Sequence, residues 1–500
     1  MIAALLAIAC APRLPPGDAP TVLAARPETV LALPDATAPA VYLSAWIAAG
    51  SSYDPIGQEG LAALTAHAMA EAGAGDLDPN ALQAALYPTG NALSVTVTRD
   101  WAQFRLRCPA DQEADCVARF ADVLLAPRFD GPTVERLRDE ATFAVGDGLL
   151  DDEEALAAEL LDAMLYEAHP YGHPVDGRAG VLGMLSAADV ARFYKRHVQR
   201  STVWVGMAGA VTPDGQAAME ARLQALPTGL PPDRPLPTPR FPEGRRLLVA
   251  DTANPVTGFM LGHPLATDRN HADHWPLMAG MTAFGAHRQS FGRLFRTLRT
   301  DRGLNYGTYA YAEPYLERPG TSLPDNGALR VQNRFALWIR PTSQDNGAFA
   351  LKLALDELEV LAERGLTPDE FDDIRSYLLG AVPLLAMDPG RRLAFALEAQ
   401  ATGTPNLLVA FPAALQAMTV DDVNRSLKAH LAPDKLAIAA VSGDAQALAT
   451  TLIEGASTPI VYRDVTPTPA AATRDAKVAN IDLGLEPTDV VVLDAKGVFR

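Results

Sequence analysis

Residues 60–73, GLAALTAHAMAEAG, decide how this chain is interpreted. The stretch is rich in alanine and other good helix formers and predicts a packed helix. It follows a run of strand character and a glycine-containing turn, VYLSAWIAAGSSYDPIGQEG. The predicted helix carries one histidine, His67. A lone histidine on a packed helix is more often a structural residue than a metal ligand.

The stretch resembles the zinc helix of the insulinase and pitrilysin family of inverted zinc peptidases, which includes the mitochondrial processing peptidases. That helix carries the pattern H-x-x-E-H, in which two imidazoles bind zinc and the glutamate acts as general base on the metal-bound water. The matching positions here read ALTAH. Ala63 and Ala66 replace the first histidine and the glutamate, and only His67 remains. The preceding residues 41–64 resemble the family's first strand, glycine turn and helix entry.

The family's third zinc ligand is a glutamate on a later helix, and the resemblance puts the matching position near Ala144. The surrounding segment, ATFAVGDGLL, contains no glutamate, and Glu140 is out of register. A catalytic zinc is usually held by three protein ligands plus an open position for water. We therefore expect His67 to retain residual metal binding at most. Loss of the base at Ala66 would by itself lower a rate by about 10²- to 10⁴-fold.

Residues 291–315, FGRLFRTLRTDRGLNYGTYAYAEPY, resemble a substrate-binding stretch in the C-terminal half of the same family. In that family an arginine and a tyrosine hold the substrate backbone across the cavity from the zinc. The matching residues, seven positions apart, are Arg299 and Tyr306. A guanidinium and a phenol can both donate a hydrogen bond to a peptide carbonyl. The alternative is a surface arginine beside a core tyrosine.

The chain is predicted to be a tandem duplication of one α+β half. Residues 186–197, SAADVARFYKRH, align with residues 419–430, TVDDVNRSLKAH, and each stretch opens with a Ser/Thr cap and an acid three residues later. Period-two strands and long helices, without regular βαβ alternation, predict helices packed on antiparallel-rich sheets. The resemblance, which covers about residues 41–453, implies two such halves forming a clamshell around a central cavity.

The predicted divisions follow changes in composition. Residues 226–242, LPTGLPPDRPLPTPRFP, hold too many prolines for a helix and predict a semi-rigid linker. The divisions are a leader over residues 1–20, an N-terminal half over 21–225, the linker, a C-terminal half over 243–455, and an irregular tail over 456–500. The tail ends in a strand-like run, DVVVLDAKGVFR, which could join this protein's own sheet or reach a partner.

Composition limits the function classes. The chain has 500 residues, 48% of them hydrophobic, which is ample for large cores. Its net charge is −18 and it contains no Lys/Arg run of five or more, so nucleic-acid binding is not expected. It has no phosphate loop, G-x-S-x-G elbow or C-x-x-C pair, and we expect no organic cofactor. No stretch of 18 uninterrupted apolar residues predicts a membrane span.

The cysteines bear on the cellular compartment. The N-terminus MIAALLAIAC resembles a short lipoprotein signal with Cys10 as the lipidated residue, although no basic residue precedes it and Ala7 stands where leucine is usual. This predicts a lipid-anchored bacterial protein of the periplasm or cell envelope, and the alternative is a fragmentary signal or an ordinary apolar start. Cys108 and Cys116 could form a local disulfide or remain two separate thiols.

Two further histidine pairs carry less information. His271 and His274 could share a metal ion, but only Asp268 and Asp273 lie nearby in sequence, and a solvated helix entry is the favoured interpretation. The other pair is interpreted as part of a structural turn and comprises His169 and His173.

The two halves differ in what they retain, and this difference predicts the function. Some bacterial members of the resembled family divide the work between a chain with H-x-x-E-H and a chain with the Arg/Tyr pair, and this chain resembles the second kind. It is expected to be a non-catalytic subunit of a two-chain zinc metalloendopeptidase, without zinc itself, beside a paralogous H-x-x-E-H partner and a peptide substrate. The alternatives are an envelope scaffold or peptide-binding protein, and a stand-alone metallopeptidase with relocated ligands.

Overall fold

The computed structural model describes residues 30–87, 90, 92–232, 234, 236–315, 328–463 and 465–500. The predicted leader over residues 1–20, including Cys10, lies outside these residues. Among the helices of the described part, none combines the length and the apolar character needed to cross a membrane.

The N-terminal half contains a five-stranded sheet with the order β1-β5-β2-β4-β3. Strand β1 runs parallel to β5, and the other pairings are antiparallel. The strands are β1 (Leu31–Pro34), β2 (Ala40–Ile47), β3 (Ala92–Val97), β4 (Ala102–Pro109) and β5 (Val203–Gly209). The helices are α1 (Leu61–Glu71), α2 (Pro79–Leu86), α3 (Glu113–Leu125), α4 (Gly131–Gly146), α5 (Glu153–Leu165), α6 (Ala179–Leu182), α7 (Ala187–His197) and α8 (Pro213–Leu223).

The C-terminal half contains a six-stranded sheet with the order β11-β6-β10-β7-β9-β8. Strand β6 runs parallel to β10 and β11, and the other pairings are antiparallel. The strands are β6 (Arg246–Asp251), β7 (Val256–Leu265), β8 (Thr308–Tyr311), β9 (Asn333–Ser343), β10 (Ala437–Ser442) and β11 (Val490–Asp494). The helices are α9 (His274–Gly285), α10 (Gln344–Arg364), α11 (Pro368–Leu385), α12 (Pro389–Thr402), α13 (Leu407–Ala417), α14 (Val420–His430), α15 (Ala445–Ile453) and α16 (Pro469–Val478).

The two halves share their local construction, as the aligned helix starts predict. The Ser186 hydroxyl caps α7 by accepting from the backbone N–H of Asp189, whose carboxylate accepts from the backbone N–H of Ser186. Thr419 and Asp422 make the same reciprocal pair at the start of α14. Each capped helix is followed by a buried strand, β5 or β10. The fold class is therefore confirmed: two sheets in two α+β halves.

The halves exchange helices. Helix α5 of the N-terminal half packs on β7 and β10 of the C-terminal sheet, and α12 of the C-terminal half packs on β2 and β5 of the N-terminal sheet. Leu393 of α12 lies so close to β5 that a Cβ atom on Gly206 would be 2.6 Å from its Cδ1 atom. Leu160 of α5 belongs to the same buried cluster as Ala439 of β10. These contacts join the halves, and the expected central cavity stays a prediction.

A buried carboxylate of α5 binds three arginines at this junction. Asp162 forms ion pairs with Arg99 at 3.1 Å, with Arg330 at 2.7 Å and with Arg334 at 2.6 Å. Burial alone would raise the pKa of Asp162, but the three guanidinium groups hold it far below its usual range. Two of these arginines come from the C-terminal half, so the ion cluster joins the halves electrostatically.

The proline-rich linker is attached to the N-terminal half by Arg234. Its guanidinium bonds to the buried Asp100 carboxylate and lies 4.5 Å above the Tyr53 ring. Asp100 also accepts from the Tyr171 hydroxyl at 2.6 Å and from the backbone N–H of Val331 at 2.9 Å. The linker therefore contributes an arginine to the junction, besides spacing the halves.

The C-terminal tail, residues 456–500, is more regular than predicted. Irregular structure is wrong for Pro469–Val478, which form α16: Thr468 caps this helix, and Pro469 fits the first turn, where no backbone N–H is needed. The terminal strand joins this protein's own sheet, because β11 pairs with β6. Beyond it, the carbonyl of Phe499 accepts from the backbone N–H of Ala179 at 3.0 Å. The tail thus links the C-terminal sheet to the N-terminal half.

Candidate functional site

The turn before α1 has the geometry of a tightly built helix entry. Gly60 adopts a φ of 101°, and a Cβ atom at this position would lie 2.6 Å from the carbonyl oxygen of Asp176, so only glycine fits. The buried Asp54 carboxylate accepts from the backbone N–H groups of Gly60 at 2.7 Å and Ala62 at 2.6 Å. Burial raises the pKa of Asp54 well above its usual value, although both hydrogen bonds oppose that shift.

Of the four positions that match the family's zinc ligands and general base, three hold alanine, and His67 alone keeps a ligating side chain. Ala63 and Ala66 lie on α1 and are 4% and 2% exposed. His67 is half-buried on the same helix, and Ala144 is exposed on α4, which packs beside α1. Ala66 lines a small apolar pocket together with Phe193 and other apolar side chains. One imidazole among buried methyl groups does not fit a catalytic zinc.

His197 lies across the same pocket from α1, and the sequence analysis missed it. Its ring stacks on Phe193 with centroids 4.1 Å apart and meets Tyr53 edge-on. Burial lowers the pKa of His197 to about 4, so the ring is neutral at neutral pH. No short spacing in the sequence connects it to Ala66. Within the described residues, His197 belongs to no group of three potential metal ligands, and its ring packs against aromatic neighbours.

Within the described residues, one group of three potential metal ligands comes within 4.8 Å, comprising His271, Asp273 and His430. It lies at the start of α9 and the end of α14, in the other half from α1. The carboxylate of Asp273 is already engaged by His430 at 3.0 Å and by Arg425 at 3.3 Å. A cation there would compete with the guanidinium, so we interpret the group as an ion network joining the two helices.

The interpretation of His271 and His274 as a solvated helix entry is wrong for His274. His271 is exposed, but His274 is fully buried and lies 2.9 Å from the Glu313 carboxylate. Burial would raise the pKa of Glu313, but Arg269 and His274 lower it to about 2. Helix α9 is buried on almost all sides, so a polar group in its first turn needs an internal partner.

The other histidine pair, His169 and His173, lies in a buried turn. His169 accepts from the backbone N–H of Tyr171 through Nδ1 at 2.9 Å, and Nδ1 of His173 lies 2.8 Å from the carbonyl oxygen of Pro174. Burial lowers the pKa of each histidine to about 4. These contacts agree with a structural role for the pair.

Arg299 and Tyr306 lie together in what we call the Arg/Tyr corner, residues 295–306. The corner begins with a π-helical turn, Phe295–Thr300, and β8 follows the corner. The Arg299 guanidinium donates to the carbonyl of Tyr306 at 3.0 Å and lies 4.7 Å above the Phe295 ring. Arg299 is exposed and Tyr306 is 76% exposed, so both side chains are accessible to a ligand.

The backbone between Arg299 and Tyr306 is held by Asn305, which the sequence analysis did not identify. Its side-chain amide donates to the carbonyl of Arg340 at 3.0 Å, and its side-chain oxygen accepts from the backbone N–H of Gly307 at 3.1 Å. Gly307 tolerates no side chain, because a Cβ atom would lie 2.0 Å from the Tyr309 hydroxyl. The backbone of the corner is therefore held in place, while the side chains of Arg299 and Tyr306 are exposed to solvent.

Of the two alternatives for the cysteines, the structure contains the disulfide. Cys108 at the end of β4 and Cys116 in α3 are both buried, and their sulfur atoms are bonded.

The fold and these positions define a class: two-half α+β proteins built like zinc peptidases, here with alanine at two of the three ligand positions and at the position of the general base. Two sequence models of one family match the chain. Insulinase (peptidase family M16) matches residues 29–177, and peptidase M16 inactive domain matches residues 184–378. The chain belongs to the insulinase family, M16, and the match to the domain described as inactive runs from the end of the N-terminal half into the C-terminal half.

Individual relatives agree with this assignment. An uncharacterized zinc protease of Mycobacterium bovis is 30% identical over 277 residues, 55% of this chain and 59% of that protein. The match therefore spans less than two thirds of the relative's length. A protein of Helicobacter pylori described as the non-peptidase homolog YmxG is 22% identical over 79% of this chain and 87% of its own length.

A solved structure supports the fold. The peptidase M16 inactive domain from Pseudomonas fluorescens superposes with a TM-score of 0.72 and 24% sequence identity, covering 84% of this chain and 97% of that one.

Proposed function

We propose that this chain is the non-catalytic subunit of a two-chain zinc metalloendopeptidase, in which it contributes Arg299, Tyr306 and half of the peptide chamber. The observation that carries the proposal is the contrast between the exposed Arg299 and Tyr306 and the buried alanines of the zinc-motif helix, Ala63 and Ala66. The partner would be a paralogue that bears H-x-x-E-H.

The chemistry assigned to this chain is binding and orientation of the peptide backbone. Arg299 uses one guanidinium nitrogen for the Tyr306 carbonyl, which leaves other N–H groups to donate to a peptide carbonyl. The Tyr306 hydroxyl can donate to a second acceptor. Zinc in the partner would activate the attacking water. Two fixed donors on this chain would hold the scissile peptide against that water.

The proposed compartment is the periplasm or the cell envelope, with a lipid on Cys10. The disulfide between Cys108 and Cys116 supports an oxidising compartment. The test is metabolic labelling with a palmitate analogue in the native host. Label in the wild-type chain that is absent from Cys10→Ala supports the anchor, and an unlabelled wild-type chain rejects it.

The experiment measures hydrolysis of a fluorogenic peptide pool by this chain alone, by an H-x-x-E-H paralogue alone and by their mixture, with and without a chelator. We expect chelator-sensitive cleavage in the mixture only. In that mixture Arg299→Ala should lower kcat/KM by about 10- to 100-fold, because a charged hydrogen bond to substrate is lost. The matched control is Arg296→Ala, an exposed arginine on the same helical turn.

Two outcomes would overturn the proposal. Cleavage by this chain alone would mean that it carries a metal centre of its own, and equal activities of the Arg299→Ala and wild-type mixtures would remove the role of the Arg/Tyr corner.

A second candidate function is that of an envelope scaffold or peptide-binding protein without proteolysis. The Helicobacter pylori relative described as a non-peptidase homolog favours it. Under this alternative no mixture cleaves the pool, while labelled peptides from the same pool still bind to the isolated chain with an affinity that Arg299→Ala weakens.

A further inference from the structure

The C-terminal tail reaches the underside of the Arg/Tyr corner through a buried ion pair. Arg302 follows Arg299 by three positions and is 4% exposed. Its Nε and Nη2 atoms bond to the Asp475 carboxylate of α16 at 2.8 and 2.7 Å. Its Nη1 atom donates to the carbonyl of Thr297, inside the π-helical turn, at 2.7 Å. One guanidinium therefore connects the tail to the turn that carries Arg299.

Two further tail residues complete this contact. The Tyr462 hydroxyl donates to the second oxygen of Asp475, so both carboxylate oxygens are engaged. Val465 lies against Gly303, where a Cβ atom would be 3.0 Å from its Cγ2 atom. Gly303 has a φ of 64°, a conformation that favours glycine. The tail is therefore packed against the backbone of the corner as well as paired with its arginine.

A second chain of polar contacts runs from α16 through α10 to the same turn. Arg474 of α16 pairs with Glu357 of α10 at 2.5 Å. The same Glu357 oxygen accepts from the hydroxyl of Thr297 at 3.0 Å. Thr297 is thus held twice, through its carbonyl by Arg302 and through its hydroxyl by Glu357.

These contacts matter because a π-helical turn is a rare conformation that depends on its surroundings. A buried guanidinium that loses its buried carboxylate partner is strongly destabilised. Without Asp475, Arg302 would keep, among the described residues, only the exposed Asp301 carboxylate at 4.0 Å, so it would move toward water and displace its neighbours. The displacement would reach Arg299, which lies in the same turn.

We propose that the C-terminal tail positions the Arg/Tyr corner and that Asp475 and Arg302 are positioning residues for Arg299 and Tyr306. The relevance of this role to peptide cleavage rests on the proposed function. The positioning itself concerns this chain alone and is measurable without a partner.

The test uses the full chain with a fluorotyrosine at position 306, observed by ¹⁹F NMR, and the same variants in the peptidase mixture. The variant is Asp475→Asn, which keeps the size of the side chain and removes its charge. The matched control is Asp489→Asn, which removes a carboxylate from another arginine pair of the same tail, with Arg246 on β6. We expect Asp475→Asn to shift or broaden the ¹⁹F resonance and Asp489→Asn to leave it unchanged.

In the mixture we expect Asp475→Asn to lower kcat/KM by about tenfold, as for loss of one hydrogen bond to a charged group, and Asp489→Asn to change it by less than about twofold. Where Asp475→Asn does not fold, Tyr462→Phe removes a single hydroxyl contact and serves the same comparison. An unchanged ¹⁹F resonance in the folded variant overturns the positioning role. A changed resonance with a mixture that never cleaves peptide supports positioning and overturns only the proposed function.

Discussion

Helix α1, which carries the zinc-motif positions, and the Arg/Tyr corner differ in the solvent exposure of their key side chains. Around Ala63 and Ala66 the helix is buried against mainly apolar neighbours. At the corner, Arg299 and Tyr306 stay exposed on a backbone that is rigidly held. Burying methyl groups stabilises a fold, whereas exposed polar side chains add little to stability. Stability accounts for the first region and not for the second, and this difference supports the proposal that the corner contacts a ligand.

The largest expected effect comes from returning the family's acidic side chains. Ala66→Glu places a carboxylate in a mainly apolar pocket, beside the neutral ring of His197, and should lower the free energy of unfolding by about 3 to 5 kcal/mol. Its control, Ala144→Glu, restores the third-ligand glutamate at an exposed position and should change stability by about 0.5 kcal/mol or less. Urea denaturation measures both. Equal stabilities would show that the pocket beside α1 admits water, and the contrast between the two regions would fail.

The next effect is the pH dependence of the free energy of unfolding that arises from His197, whose ring lines the pocket beside α1. The pKa of His197 is about 4 in the folded chain, below the ordinary value of 6.5, so the unfolded chain takes up the proton first as pH falls. Its contribution to stability is complete above pH 6.5 and declines by about 3 kcal/mol as pH falls to 4. His197→Phe should remove this part of the acid sensitivity. If the curves of unfolding free energy against pH were parallel for the wild type and His197→Phe, the burial of His197 against α1 would be contradicted.

The smallest of the three effects concerns the disulfide in the half that holds α1. Replacing Cys108 and Cys116 by serine should lower the free energy of unfolding by about 2 to 3 kcal/mol, mainly because the unfolded chain gains freedom. Comparing wild-type and variant chains with and without reductant checks this. The Arg/Tyr corner should be unaffected, so peptide binding by the folded variant should match the wild type. A loss of binding would mean that the two regions are coupled.

Local signals in the sequence predicted the fold well, but they did not predict the contacts between residues far apart in the chain. The cap residues Ser186 and Thr419 were readable because a capping box needs only an acid three residues away. Helix α16 was missed because the prolines around it suggested irregular structure. The exchange of α5 and α12 could not be predicted, since a helix displays an apolar face without specifying which sheet will cover it.

In the candidate site, too, single residues could be predicted from the sequence, but their long-range contacts could not. Arg299 and Tyr306 could be located by family resemblance, but the bond between the guanidinium and the Tyr306 carbonyl depends on a turn that only the structure reveals. Asp475 is 173 positions from Arg302, and no pattern of spacing links two residues so far apart. His274 was misjudged because its partner, Glu313, lies on a different element.

Because α5 and α12 each pack on the sheet of the other half, neither half can complete its hydrophobic core until late in synthesis. The N-terminal sheet is not fully covered until α12, Pro389–Thr402, has been synthesised. Helix α5 packs on β7 and β10, and β10, Ala437–Ser442, is synthesised later still. Most of the chain must therefore exist before either half is complete, and such late pairing slows folding and prolongs exposure of apolar surface. A ribosome that stalls after the linker would release a fragment with an uncovered sheet, prone to aggregation.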